Sequence, residues 1–388
     1  MEFVSRTVIE TNPNTLVEEL VKDHSQQYDL GFLFVSSLSK HSAIEVASLF
    51  KRRIKVKHLL GCTCAGIIGS DAEIEYRPAA ALTLAQLPGV NIKPFALDQN
   101  QLENLNEPKD WYEFFEMYPT EKPQFLTLPD PFTFDMNQFL EKVNQAYPNC
   151  PIMGGLASGA NQPRENILIL NDEQMEQGIV GVMLTGNVNM DTVVSQGCRP
   201  IGETYIVTKA EGNIVYELAG RSFYKVLEEI LSKAAPRDKL LAQEAIFVGI
   251  AMNEYKDQFK RGDFLIRGVM GLDPKTGSGA IADYVETGQT IQFHLRDAQT
   301  ATEDLNELLS SQQRKGTPVK PKGALVFSCN GRGQNMFREK NHDITILQKH
   351  VGPVPAAGFF CAGEIGPVGG NNFLHGFTSS IALFYPKQ

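Results

Sequence analysis

The stretch PVPAAGFFCAGEIGPVGGNN, at residues 353–372, places a thiol and a carboxylate three residues apart in a glycine-rich segment. Its five glycines permit positive φ angles or close backbone approach, and its three prolines stiffen the turns between them. Cys361 would offer a small molecule a soft nucleophile, and Glu364 would offer it a hydrogen-bond acceptor. The alternative is a tight turn between two strands, and these residues alone do not decide between the two interpretations.

A second polar cluster, SCNGRG at residues 328–333, follows another predicted strand and supplies Cys329, Asn330 and Arg332. If the two strands are neighbours, Arg332 meets Glu364. The two side chains then form either an ion pair that closes a turn or the two ends of a site for a zwitterionic ligand. A guanidinium clamps a carboxylate and a carboxylate accepts hydrogen bonds from an ammonium group, so the second interpretation suits an amino-acid-like molecule.

Three further side chains are candidates for this site. Asn371 and His375 follow Glu364 closely in sequence, whereas Arg267 lies in the apolar run FLIRGVMG and is either a paired side chain or a ligand contact. A nucleophilic pair of Cys361 and His375 is also conceivable, but the sequence shows no third group to orient it. The predicted ligand-binding residues are Cys329, Asn330, Arg332, Cys361, Glu364, Asn371, His375 and Arg267; no catalytic residue, cofactor or metal ligand is expected.

The elements that would position these residues recur along the chain. A strand, a helix, a glycine loop and a second strand are predicted at 31–35, 42–54, 61–69 and 79–84, and again at 125–128, 136–147, 151–161 and 179–184. Leu33 to Gly61 and Leu126 to Gly154 both span 28 residues. This shared spacing indicates an internal duplication.

A third, more loosely spaced copy closes the chain, with elements predicted at 324–327, 344–350, 359–372 and 378–384. Between the second and third copies, residues 223–231 have a helical pattern and residues 264–295 alternate like an antiparallel meander. We predict an α+β fold in which duplicated strand-helix-strand units form two mixed β-sheets flanked by helices. The glycine loops should then gather at one common mouth, where Arg332 and Glu364 meet.

Bulk properties exclude several classes of protein. The 388-residue chain has a net charge of −9, which disfavours binding to nucleic acid or to anionic membranes. Its six cysteines are sparse and suggest reduced thiols, and no apolar run is long enough to span a membrane. None of the glycine loops has the pattern of a P-loop or of a dinucleotide-binding loop. We therefore expect a cytoplasmic protein without membrane insertion or a nucleic-acid partner.

Several fragments, in this order, resemble the FIST sensory domain in both its N-terminal and C-terminal halves. The resemblance covers about residues 30–384, and its specificity comes from the succession of fragments. The fragments are GCTCAGIIG, the acidic EIE at residues 73–75, GGLASGA, SQGCRPIGETYIVTKAEGNIVYELAG, FLIRGVMGLDPKTG, QTIQFHLRDA, VFSCNGRG and GFFCAGEIGPVGGNNFLHGFTS.

The resemblance implies a lead-in at residues 1–29, a FIST N-terminal domain at 30–217 and a FIST C-terminal domain at 218–388. It also implies a non-enzymatic bacterial-type sensory protein that binds a small polar metabolite, proposed in this family to be amino-acid-like. We expect a stand-alone protein that signals through a separate signalling partner. The alternatives are an interaction scaffold without a small-molecule ligand and, third, a Cys-dependent enzyme.

Overall fold

The computed structural model describes residues 1–36, 39–244, 246–256, 258–259, 262–314 and 320–387. The chain forms two compact units, one of residues 1–195 with 305–388 and the other of residues 196–304. The predicted division between residues 217 and 218 lies inside the second unit. As a boundary between separately folding domains it stays a prediction.

The first unit contains three copies of one succession of strands and helices, as the sequence spacing predicts. The first copy comprises β1 (Glu2–Ile9), α1 (Pro13–Val21), β2 (Gln27–Ser36), α2 (Lys40–Arg53), β3 (Lys55–Cys64), β4 (Gly66–Ile68), β5 (Glu73–Glu75) and β6 (Ala79–Gln86). The second comprises β7 (Val90–Leu97), α3 (Gln99–Asn104), α4 (Pro108–Phe115), β8 (Gln124–Pro129), α5 (Met136–Ala146), β9 (Ile152–Gly155), β10 (Leu168–Leu170), β11 (Glu173–Met175) and β12 (Ile179–Gly186).

The third copy is interrupted by the second unit. It begins with β13 (Asn189–Ser195) and resumes with β21 (Gly323–Cys329), α9 (Gly333–Phe337), α10 (His342–Val351), β22 (Ala356–Cys361), β23 (Glu364–Val368), β24 (Asn371–His375) and β25 (Ser379–Tyr385). The second unit comprises β14 (Cys198–Glu211), β15 (Ile214–Leu218), β16 (Arg221–Ser222), α6 (Phe223–Lys233), α7 (Pro236–Glu244), β17 (Phe247–Ala251), β18 (Phe264–Asp273), β19 (Ser278–Ile281), β20 (Thr290–Arg296) and the start of α8 (Ala298–Arg314).

Each copy builds the same four-stranded core of a mixed sheet. The strand orders are β1-β6-β2-β3, β7-β12-β8-β9 and β13-β25-β21-β22. In each of these cores the last two strands named (β2–β3, β8–β9 and β21–β22) run parallel and are joined by helical chain. The other neighbouring strands are antiparallel. The repetition predicted from the sequence is therefore a repetition of sheet topology.

The copies also exchange their short hairpins in a cycle. Hairpin β4–β5 of the first copy completes the sheet of the third, β10–β11 of the second completes the first, and β23–β24 of the third completes the second. A polar side chain anchors each hairpin to the helix that receives it: Glu73 accepts from the backbone of α10, Gln174 donates to the backbone of α2, and Asn372 bonds Asn144 of α5. Each of these three sheets therefore contains strands from two copies.

The three sheets share one apolar core and have separate outer cores. The shared core includes Phe34 of the first copy and Phe327 and Phe359 of the third, and the ring centroids of Phe34 and Phe359 lie 4.9 Å apart. Each sheet packs its other face against helices of its own copy, as with Phe50 of α2 and Phe139 of α5. Burial on both faces explains why the strands read as continuous apolar runs.

One glycine per copy allows its two parallel strands to approach closely. Gly61, Gly154 and Gly358 each face the other strand of their parallel pair (β2, β8 and β21), where an added Cβ would stand 2.2, 1.9 and 1.8 Å from a backbone carbonyl oxygen. No side chain fits at such a distance without backbone movement. These glycines of the predicted loops therefore lie within or at the end of strands and fix how tightly the sheets pair.

The expected arrangement of two sheets is not confirmed, although the mixed sheets and flanking helices are. The described residues of the first unit form three six-stranded sheets. In the second unit, the predicted antiparallel meander belongs to a seven-stranded sheet in which the β14–β15 pairing closes six strands into a barrel. Phe223, Val248 and Phe293 fill its core.

Candidate functional site

The glycine loops of the three copies meet at one place, which we call the loop junction (residues 63–66, 155–158 and 360–364). The backbone N–H of Leu156 donates to the carbonyl of Gly363 at 2.8 Å, and Ala362 donates back to Leu156 at 3.2 Å. Ser158 joins all three loops, because its hydroxyl accepts from the N–H of Ala65 and donates to the carbonyl of Phe360. The loops meet because each follows the carboxyl end of a parallel strand pair.

Arg332, which follows β21 beside this junction, is fully buried and clamped from within the protein. Its Nε and Nη2 donate to the two carboxylate oxygens of Asp343, at 2.9 and 2.8 Å, and the face of Phe337 lies 5.1 Å from the guanidinium carbon. Burial alone would raise the pKa of Asp343, but Arg332 and His342 lower it well below its usual value. The bidentate face of the guanidinium is therefore occupied by Asp343.

Glu364 is buried within electrostatic reach of this guanidinium. Burial works against the charge on Arg332, but Asp343 chiefly, and Glu364 with it, raises the guanidinium pKa. Glu364 itself accepts a hydrogen bond of 2.9 Å from the backbone N–H of Thr378. The sequence therefore predicts the proximity of Arg332 to Glu364, but not that Asp343 is the direct partner.

Two buried polar atoms near this pair are left unsatisfied. Nη1 of Arg332 has no hydrogen-bond partner among the described residues, nor has the hydroxyl of Ser379. Ser379 is the register partner of Ser328, whose hydroxyl donates to Asp343. Buried polar groups in folded proteins are nearly always satisfied, so these two atoms are exceptions to the rule.

The two cysteines predicted for the site are adjacent, and the thiol of Cys361 is held protonated. Cys329 and Cys361 end neighbouring parallel strands as register partners, and both are free thiols, as are the other four cysteines. Burial, then the charge of Glu364 and the neighbouring thiols, raise the pKa of Cys361 well above its ordinary value. A thiol held protonated is a poor nucleophile.

The other predicted site residues take separate positions. Asn330 is exposed and its N–H donates to the carbonyl of Cys361 at 2.9 Å, while Asn371 is exposed at the start of β24. His375 is buried as the register partner of Glu364, with Nε2 3.0 Å from the carbonyl oxygen of Gly366. Arg267 belongs to the second unit, where its Nε pairs with Asp283 at 2.6 Å.

Three acidic residues near Arg332 are not predicted as site residues from the sequence. Besides Asp343, hairpin β4–β5 of the first copy brings Glu73 and Glu75 to the third copy. Glu73 accepts from the N–H of Ile344 at 2.9 Å, and Glu75 accepts from the N–H of Gln334 at 3.0 Å. The EIE fragment that carries part of the family resemblance is thus the link between these copies.

Because the carboxyl group of Glu73 is buried, we expect the stability of the protein to depend measurably on pH. Burial, and then the charge of Asp343, raise its pKa from 4.5 to about 8. The folded state therefore holds a proton that the unfolded chain releases above pH 4.5, so Glu73 lowers stability progressively between pH 4.5 and 8 and by a constant amount above. Glu73→Gln should remove this loss, on the order of 3–5 kcal/mol at pH 8.5.

The measurement is the free energy of unfolding by urea from pH 5 to pH 9. Glu141→Gln, which changes an exposed carboxylate on α5, is the matched control and should follow the wild type at every pH. If the free energy of unfolding changed with pH in the same way for Glu73→Gln and the wild type, Glu73 would be ionised in the folded protein.

Comparison of this chain with protein-family models confirms the family resemblance seen in the sequence fragments. The family model of the FIST N domain matches residues 29–221, and that of the FIST C domain matches residues 224–367. The chain belongs to the FIST family. FIST domains are associated with sensory signalling, and Arg332, Asp343 and Glu364 lie in the part matched by the FIST C domain.

Relatives of this FIST chain span almost its whole length. Uncharacterized proteins of Mycobacterium tuberculosis strains CDC 1551 and H37Rv are 39% identical over 355 residues, covering 92% of this chain and 91% of theirs. An uncharacterized protein of Mycobacterium bovis has the same identity, and the match covers 92% of this chain and 90% of that protein.

Among the described residues, no helix is long and apolar enough to cross a membrane.

Proposed function

We propose that this FIST protein is a non-enzymatic sensor that binds a small polar metabolite, amino-acid-like in chemistry, beside the loop junction. The observation that carries the proposal is the unsatisfied Nη1 of the fully buried Arg332, close to the buried Glu364. The ligand's carboxylate would accept from Nη1 and from the hydroxyl of Ser379. Its ammonium group would donate to Glu364.

Burial supports this assignment, because electrostatic interactions are much stronger away from water. A guanidinium already fixed by Asp343 and by the ring of Phe337 loses little further freedom on binding, so its remaining N–H groups are preorganised. The raised pKa of the free Cys361 thiol favours binding over catalysis at this place.

Entry to the site would pass the loop that precedes β25. Phe377 is 39% exposed, has a φ of 61° and covers Gly331, where an added Cβ would stand 2.7 Å from its ring. A left-handed aromatic residue is strained, and strained residues recur at ligand clamps. In this proposal the sensor works in the cytoplasm, and movement of this loop passes the binding event to a separate signalling protein.

The test is titration calorimetry with the twenty amino acids, together with the change in melting temperature at saturation. At least one amino acid should bind and raise the melting temperature. Glu364→Gln should weaken its binding at least about tenfold, since a hydrogen bond to a charged group is worth about 1.5–3 kcal/mol, while Glu141→Gln should leave it unchanged. An unresponsive wild type that instead copurifies with a stable partner would favour an interaction scaffold.

A further inference from the structure

A cleft that none of the predicted site residues lines runs along the free edge of β1. It has a volume of about 830 Å³ and is lined by four consecutive residues of β1, Phe3 to Arg6, by one side of α10 and by the rigid segment Pro353–Pro355. Its volume lies toward the upper end of the range for ligand sites. Residues on both faces of the strand line the cleft, so the edge of β1 itself borders it.

The backbone of this edge lacks a neighbour. β1 is the terminal strand of its sheet and pairs along all eight residues with β6. On its other side, β1 has no backbone hydrogen-bond partner in the described part of the chain. Such a row of N–H and C=O groups is a template for another strand, and Pro, a common protection of edge strands, is absent from β1.

The two faces of β1 bordering the cleft differ in chemistry. Phe3 and Ser5 share one face, where Phe3 is buried in the core and the hydroxyl of Ser5 contacts Ser70. Arg6 lies on the opposite face with His24, and its guanidinium donates to the carbonyl of Glu19 and to Asp23. Two partners do not exhaust the five N–H groups of an arginine.

We infer that this cleft binds an extended peptide that adds to β1 as a further strand. Its side chains alternate, with apolar ones beside Phe3 and Pro355 and acidic ones beside Arg6. Main-chain hydrogen bonds provide affinity and the alternating side chains provide selectivity. An exposed carboxylate, Asp71, also lines the cleft next to Ser70 and restricts acidic side chains to the Arg6 face. This inference does not depend on a ligand at Arg332.

The test uses the full-length protein and a fluorescein-labelled octapeptide of alternating valine and glutamate, measured by fluorescence anisotropy. Two further octapeptides carry N-methyl groups on either all valine or all glutamate nitrogens. Because alternate N–H groups of a strand face one neighbour, one methylated peptide should bind at least about tenfold more weakly and the other nearly as well as the parent. Equal binding by all three would identify a side-chain-only occupant and overturn the proposal.

A charge reversal at Arg6 tests the preference of the cleft for acidic peptide side chains. Arg6→Glu should reverse the preference from the valine–glutamate octapeptide to a valine–lysine octapeptide. Arg53→Glu is the matched control, because Arg53 also pairs with a surface carboxylate, Glu18 at 2.8 Å, but does not line the cleft; it should leave the preference unchanged. Failure of the wild type to bind the valine–glutamate peptide, or a dimer whose β1 amides resist hydrogen exchange without peptide, would contradict the inference.

Discussion

Replacement of Asp343 by asparagine should lower the free energy of unfolding by about 3–5 kcal/mol, the usual result of breaking a buried ion pair by removing one partner. Asp343 is 2% exposed and Arg332 is 0% exposed, so the guanidinium would lose its bidentate partner at a place where bulk water cannot replace it. The substitution also weakens the hydrogen bonds from Ser328 and His342. The measurement is urea unfolding at pH 7.

A surface pair provides the matched control for this prediction. Asp23 pairs with Arg6 at 3.3 Å, but its side chain is 76% exposed. Asp23→Asn should change the unfolding free energy by less than about 1 kcal/mol, because exposed ion pairs contribute little. If Asp343→Asn cost no more than this control, Arg332 would be stabilised by something other than its buried partner.

Gly358→Ala should prevent cooperative folding or destabilise the protein by more than about 3 kcal/mol, beyond the usual cost of overpacking. The new Cβ would stand 1.8 Å from the carbonyl oxygen of Val326, and backbone atoms of paired parallel strands cannot move apart without breaking the sheet. Circular dichroism during thermal unfolding measures the effect. Gly376→Ala is the control, because among the described residues no atom beyond its two chain neighbours lies within 4 Å of the added Cβ. A melting temperature equal for both variants would contradict the account.

The threefold repetition was accessible from the sequence because it is written in local patterns. Strand, helix and final strand each carry their own signature, as in the apolar run of β2 and the inward-facing Phe139 and Val143 of α5. The exchange of hairpins was not accessible. β4 and β5 have three residues each, and the pairing of β4 with β22 joins Ile68 to Gly358, which lie near opposite ends of the chain.

Two acidic residues near Arg332 were missed from the sequence for different reasons. The meeting of the loops follows from a general property of parallel strands, so Arg332 and Glu364 could be placed near each other. Asp343 looks like an ordinary first-turn carboxylate of α10, and only the packed structure turns it toward Arg332. Glu73 arrives from another copy, and its sequence neighbours give no sign of burial.

Native mass spectrometry of the protein mixed with the twenty amino acids tests the proposed sensor most directly. We predict one bound molecule with the mass of an amino acid per chain for the wild type and for Glu141→Gln, and none for Glu364→Gln. A wild-type spectrum that shows only the bare chain, or an adduct that Glu364→Gln retains equally, would contradict the assignment of the site beside Arg332.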